Sequence, residues 1–389
     1  MINRLYLALA AGSLLIGQAA VAQQAARPVP AAPQLSASSY ILVDFDSNRV
    51  LVSQTPDDRV APASITKLMT SYVVFSELRD GNLALDEIIT VSEKAWRTGG
   101  SRMYIEVNTQ VDIESLIKGM VIQSGNDASV ALAEHIAGSE AAFADLMNHF
   151  SQLMGMTNTN FVNATGLPHE DHYTTAEDVA ILSAALIREF PDYYRWYSER
   201  EYTYNNIRQH NRNTLLWRDP AVDGLKTGHT EAAGYCLASS AKKDGMRLIA
   251  VVLGSSSEQN RTTESQALLN YGFRFFETFQ LYQGGDELAR PRVWKAAQDD
   301  VPLGLGEDLF ITIPRGRFNA LDAQVKMQSN IVAPLANGQQ IGELQVMLDG
   351  ELVTRRPLLS LIDVPESGFF GRSVDGLRLW FGGFFAEEE

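Results

Sequence analysis

The chain has 389 residues, 45% of them hydrophobic and 20% charged, with a formal net charge of −15. That composition excludes a disordered polymer, and the acidic balance excludes nucleic acid as a partner, because such a footprint needs clustered Lys and Arg. Cys236 is the only cysteine, which excludes an intrachain disulfide and reads as a small buried hydrophobe in an apolar strand.

In chain order, Arg4, an apolar run from Leu5 to Ile16 and Ala20-Val21-Ala22 read as a secretory signal over residues 1–22, cleaved before Gln23. The run is shorter than the roughly 20 residues of a bilayer span, which disfavours a retained anchor. Residues 23–37, rich in Ala, Pro and Gln, read as an exposed leader. Tyr40 to Phe45 alternates like a strand, and Arg49 to Ser53 pairs with it across Asp46-Ser47-Asn48. Pro62 and Ala63 precede a helix on which Leu68, Tyr72, Phe75 and Leu78 recur, ending near Gly81; Ser64 lies at its start. Asp112 caps a second helix bearing Ile113, Leu116, Ile117 and Met120, Asn126 to Ile136 make a third, and Thr175 to Ile187 another. Ala232 to Ala241 and Met246 to Gly254 read as strands joined at Asp244-Gly245, and Ser265 to Thr278 as a helix packed back on that hairpin.

After Gln283-Gly284-Gly285 the pattern changes to short alternating runs: Leu309 to Ile313, Ala323 to Met327, Gln340 to Leu348 and Glu351 to Thr354. The expected organisation is a mixed α/β unit over 38–277, a small all-β unit over 286–364 and an amphipathic helix over 366–386. In that tail Phe370, Val374, Leu377, Phe381 and Phe384 share a face opposite Arg372, Asp375 and Arg378. Such a helix lies in a membrane interface or docks on the β unit, and Trp380 and Phe385 favour the membrane.

The chemistry lies in ordered motifs. Ser-x-x-Lys occurs at Ser64, Ser115, Ser239 and Ser240, but only Ser64 begins a helix and precedes Ser124-Gly125-Asn126 and Lys226-Thr227-Gly228-His229. Residues three apart share a helix face, so Lys67 stands beside Ser64. Burial and a second cation, Lys226, lower a lysine's pKa, so that a neutral amine can take the serine proton. In this reading Ser64 is the nucleophile, Lys67 the base and Ser124 a proton shuttle, while Asn126 clamps a substrate amide. Lys226-Thr227-Gly228 runs along a strand edge where Gly228 lets an extended substrate approach, Thr227 bonds its carboxylate and Lys226 adds cationic field, with Arg261 as a second anchor. Backbone N–H groups of Ser64 and His229 form an oxyanion hole, one such donor typically being worth ~2.7–4 kcal/mol of barrier. Arg97-Thr98-Gly99 copies the Lys226 triplet but is out of order, and is read as coincidence. His169-Glu170-Asp171-His172 lies in a loop without a zinc pattern, so neither metal nor cofactor is expected.

This ordered set is the signature of β-lactamases and penicillin-binding proteins. With its flanks, Ala63-Ser64-Ile65-Thr66-Lys67-Leu68-Met69, Gln123-Ser124-Gly125-Asn126-Asp127-Ala128 and Asp223-Gly224-Leu225-Lys226-Thr227-Gly228-His229-Thr230, the chain resembles the low-molecular-mass penicillin-binding proteins, the D-alanyl-D-alanine carboxypeptidases, over nearly everything after the signal. The resemblance implies a penicillin-binding/β-lactamase-like catalytic domain with an antiparallel sheet and helices. It also implies trimming of terminal D-alanine from peptidoglycan pentapeptides through an acyl-serine that β-lactams trap. A β-rich second domain and a C-terminal helix on the periplasmic face of the inner membrane belong to the same expectation. Arg261 then matches the family's carboxylate-guiding arginine, and Arg212 another arginine near the site. Thr165 stands where some members carry histidine, and Thr98 to Tyr104 is shortened, both of which bear on deacylation. One rival is a class A β-lactamase, which activates water with a glutamate; the comparable stretch Val162 to Gly166 has no acid, although Glu170 and Asp171 are close. Another is a non-catalytic penicillin-binding scaffold, against which the intact Ser64, Lys67, Ser124 and Lys226 stand. The choice between hydrolysis, transpeptidation and endopeptidase action is not written in these motifs.

Overall fold

The computed structural model describes residues 29–368 and Asp375. The signal, the start of the leader and nearly all of the expected tail helix lie outside the described residues.

A five-stranded antiparallel sheet runs in the spatial order Val50–Gln54, Ser39–Asp44, Met246–Ser255, Gly234–Lys243 and Val222–Thr230. Its centre is apolar on both faces. Leu248, Ala250 and Val252 join one buried cluster with Leu237, Leu268 and Leu269, whereas Ile249, Val251 and Leu253 join a second with Leu68, Phe75, Ile117 and Leu186. Because side chains alternate along a strand, this double burial turns Met246–Ser255 into a nearly continuous apolar run. Lys243 pairs with Met246 across Asp244-Gly245, whose φ values of 52° and 85° are those of a tight hairpin turn, as the dipeptide predicts.

The helix Lys67–Arg79 is buried almost all round and forms the axis of the helical half. Around it pack Ile113–Ile122, Asn126–Ala137, Glu140–Leu153 and Ala176–Glu189. Asp112 caps the first of these, accepting from the Ser115 N–H at 2.8 Å. On the other face lies the helix Glu258–Phe275. A Cβ at Gly272 would come 2.5 Å from Leu248 Cδ1, so glycine lets this helix sit close to the sheet.

That last helix departs from the expected Ser265 to Thr278. It begins at Glu258, where the Ser257 hydroxyl accepts from the Asn260 N–H at 3.1 Å, and its polar first turns hide it from apolar periodicity. It stops at Phe275, and Phe276–Tyr282 is a strand paired antiparallel with Leu309–Pro314. Arg261 therefore sits on the first turns of a helix, ahead of the start read from sequence.

The β-rich part holds a second five-stranded sheet, in the order Glu287–Ala289, Leu303–Gly304, Glu351–Ser360, Gln340–Leu348 and Leu321–Met327. Glu351–Ser360 is longer than the run read from sequence. The mixed α/β architecture with an antiparallel sheet and a β-rich C-terminal part is thus the fold the sequence indicated. The two parts are stitched by buried polar groups. Asp44 Oδ1 accepts from Ser47 N and Oγ at 2.8 and 2.7 Å, and Asp44 Oδ2 from Thr278 Oγ1 at 2.7 Å. Thr312 Oγ1 completes the knot, 2.6 Å from Ser47 Oγ and 2.8 Å from Thr278 Oγ1.

Candidate active site

Ser64 lies on a 3-10 turn, Ala63–Thr66, that runs straight into the helix Lys67–Arg79. Lys67 is fully buried one turn on, and its Nζ lies 3.0 Å from Ser64 Oγ, 2.7 Å from Asn126 Oδ1 and 2.6 Å from the Thr165 carbonyl oxygen. Burial pushes the Lys67 amine down to about 7, against the opposing pull of Asp127 and Glu140.

Ser124 sits in the break between the helices Ile113–Ile122 and Asn126–Ala137, in a left-handed conformation at φ 68°. Its Oγ accepts from Lys226 Nζ at 2.9 Å. Lys226 is buried too, and also donates to the Thr227 carbonyl at 3.1 Å. Burial first, and then the charges of Lys67, Arg212 and Arg261, hold the Lys226 amine well below its ordinary range. Burial is thus the first cause for both lysines, and the expected coupling between the two amines adds to it. Lys226 Nζ is turned toward Ser124, and the guanidinium groups of Arg261 and Arg212 line the cavity in front of it.

Val222–Thr230 is the last strand of its sheet, but Lys226 and Thr227 are buried and His229 alone in the Lys226–His229 stretch is exposed. Gly228 lines the cavity and also meets a packing need. A Cβ there would lie 3.1 Å from the Pro62 carbonyl oxygen and 3.2 Å from Ala63 Cβ and Ile65 Cγ1, so the missing side chain lets the strand pack on the nucleophile turn.

Ser64, Ser124, Arg212, Thr227, Gly228, His229 and Arg261 line one cavity of ≈ 270 Å³, together with Ser101, Tyr235 and Glu258. An adjoining hollow of ≈ 350 Å³ adds Asn126, Thr165, Gly166, Leu167 and Thr230. Every residue proposed from sequence is therefore on these walls or, for Lys67 and Lys226, directly behind them. Arg261 is held by the Gly228 carbonyl at 3.3 Å and by Glu258 at 3.2 Å, and its guanidinium lies over the Tyr235 ring, which in turn faces His229 with centroids 4.1 Å apart. Glu170 and Asp171 are exposed and line neither hollow.

Several contributors escaped the sequence reading. Asp127, fully buried, accepts from the backbone N–H groups of Met103, Tyr104 and Ala128 at 2.9, 2.9 and 3.0 Å, and so fixes the segment facing Ser124. Its signal was a carboxylate in the first turn of a helix, a position that commonly caps backbone donors. The loop after Arg97 is another contributor: the Gly99 carbonyl accepts from Asn126 Nδ2 at 2.6 Å, so this loop orients the Asn126 amide.

A profile of D-alanyl-D-alanine carboxypeptidases matches residues 24–257, and one of the penicillin-binding protein 5 C-terminal domain matches residues 276–366. This chain belongs to the D-alanyl-D-alanine carboxypeptidase family. It is 43% identical over 366 residues to D-alanyl-D-alanine carboxypeptidase DacA of Escherichia coli (strain K12), covering 91% of each chain. The crystal structure of penicillin binding protein 5 from Haemophilus influenzae superposes with a TM-score of 0.85 at 42% identity, over 87% of this chain and 100% of that one. Penicillin-binding protein D2 from Listeria monocytogenes in its ampicillin-bound form aligns at 29% identity and a TM-score of 0.58, over 62% of this chain and 100% of that one. The carboxypeptidase is a serine-type hydrolase.

Proposed function

We propose that the enzyme removes the terminal D-alanine from peptidoglycan pentapeptides in the periplasm through an acyl-serine intermediate, and that β-lactams are trapped at the same serine. The observation that carries this reading is the Lys67 amine, buried and 3.0 Å from Ser64 Oγ. Lys67 takes the Ser64 proton as Oγ attacks the penultimate D-alanine carbonyl, and the oxyanion forms against the N–H groups of Ser64 and His229. Ser124, backed by Lys226, relays the proton now on Lys67 to the departing D-alanine nitrogen, which returns Lys67 to its neutral form, and water then cleaves the ester. Asn126 keeps one N–H free of Gly99 for the substrate amide, while Thr227, Arg261 and Arg212 hold the terminal carboxylate. A carboxypeptidase rather than a class A β-lactamase is supported by the exposed positions of Glu170 and Asp171, away from the cavity.

The experiment is D-alanine release from a synthetic pentapeptide, followed with pH. Only the neutral amine accepts a proton, so the acylation rate rises as pH climbs through about 7, where Lys67 titrates. A rate unchanged from about pH 5 to 9, or no release at all, would overturn the assignment.

The C-terminal segment is proposed to attach the enzyme to the inner membrane. Truncation before Phe369 should release the protein from anionic vesicles in a sedimentation assay and leave turnover of a soluble peptide intact. Unchanged sedimentation refutes the anchor.

A further inference from the structure

His172 is buried, 106 positions along the chain from the residue it contacts in the nucleophile turn. Its Nδ1 accepts from the Val162 N–H at 3.3 Å, and its Nε2 lies 2.8 Å from Thr66 Oγ1. Since a backbone N–H points at Nδ1, that nitrogen must be unprotonated; the ring hydrogen is on Nε2 and is donated to Thr66. The ring thus ties the residue immediately before Lys67 to the start of the loop that carries Thr165. The same loop is pinned again where Thr70 Oγ1 donates to the Ala164 carbonyl at 2.7 Å.

The loop matters because of valence. A neutral amine has two hydrogens and one lone pair. Asn126 Oδ1 and the Thr165 carbonyl are both pure acceptors at 2.7 and 2.6 Å from Lys67 Nζ, so they consume both hydrogens. The lone pair is left aimed at Ser64 Oγ, the direction a base requires.

We propose that His172 is a positioning residue: by bridging Thr66 and Val162 it holds the Thr165 carbonyl on the Lys67 amine and thereby orients the lone pair toward Ser64. The proposal rests on the reading of Lys67 as the base. Burial, followed by the charges of His169 and Lys67, lowers the imidazole to about 4, so the ring stays in the neutral form the bridge needs.

The test is the acylation rate constant of the full-length enzyme with fluorescent penicillin, separated from the preceding non-covalent affinity. His172→Leu should lower the rate constant about ten- to a hundredfold while affinity stays within about twofold. His172→Gln, whose amide both accepts and donates, should restore it to within about threefold. Thr66→Val, which keeps shape and removes the hydroxyl, should lower the rate constant by a similar factor, and the two losses should not add in the double variant. Wild-type acylation by His172→Leu, a His172→Gln no faster than His172→Leu, or additive losses would overturn the proposal. If His172→Leu does not fold, Thr66→Val and His172→Gln still decide it. Lys67→Ala separates the two levels: a fast Lys67→Ala removes the base assignment itself, whereas an inert Lys67→Ala beside a fast His172→Leu removes only the positioning role.

Discussion

Ser64→Ala is expected to abolish both covalent labelling by fluorescent penicillin and release of D-alanine from a pentapeptide. The substitution removes one oxygen from a half-exposed position and leaves the turn and its neighbours in place. Removing the nucleophile of an analogous serine hydrolase costs on the order of 10⁶ in turnover, because the residues that activate it have nothing left to activate. Ser124 offers no substitute nucleophile in this reading: its Oγ is bonded to Lys226, and Lys67 faces Ser64. Gel fluorescence and intact-mass measurement check the result, and an adduct on the variant protein would refute the mechanism.

Gly166→Ala is expected to be nearly as damaging without touching a reacting atom. Gly166 has φ +83°, and a Cβ there would lie 1.8 Å from the Ala63 carbonyl oxygen, 2.3 Å from the Ala63 carbonyl carbon and 2.9 Å from Thr66 Oγ1. The first two are backbone atoms, so no rotamer change relieves the clash, and the left-handed backbone adds roughly 1–2 kcal/mol of its own. The loop must lift from the nucleophile turn, taking the neighbouring Thr165 carbonyl away from Lys67. Displacements of about 1 Å in such a constellation cost about a hundredfold, so penicillin acylation should fall by at least that factor, with a lowered melting temperature. Acylation at the parental rate would show that loop contact to be dispensable.

Much of this molecule was legible in its sequence because the informative patterns are local. The Asp244-Gly245 turn, the Asp112 cap and the apolar run of Met246–Ser255 each declare an element within a few residues. The serine and lysine motifs named the walls of the cavity because their types are chemically scarce in that order. Contacts made through space were not legible. Thr66 with His172, Asn126 with Gly99 and Gly228 with Pro62 join segments whose adjacency only the fold creates. The charges around each amine were hidden for a similar reason: Asp127 and Glu140 oppose the effect of burial on Lys67, whereas Lys67, Arg212 and Arg261 add to it on Lys226. The helix Glu258–Phe275 was cut short because its opening turns are polar, and what identified its start was a hydroxyl cap.

The knot around Asp44 has a consequence for how such enzymes can be recombined. One buried carboxylate in the N-terminal half is completed by a hydroxyl of Thr278, which is itself braced by Thr312. Halves exchanged between paralogues would have to carry hydroxyl-bearing residues at both positions. A graft lacking them would leave Asp44 Oδ2 without its donor, at a cost of about 1–3 kcal/mol, and the chimera would inherit a weak seam far from any catalytic atom.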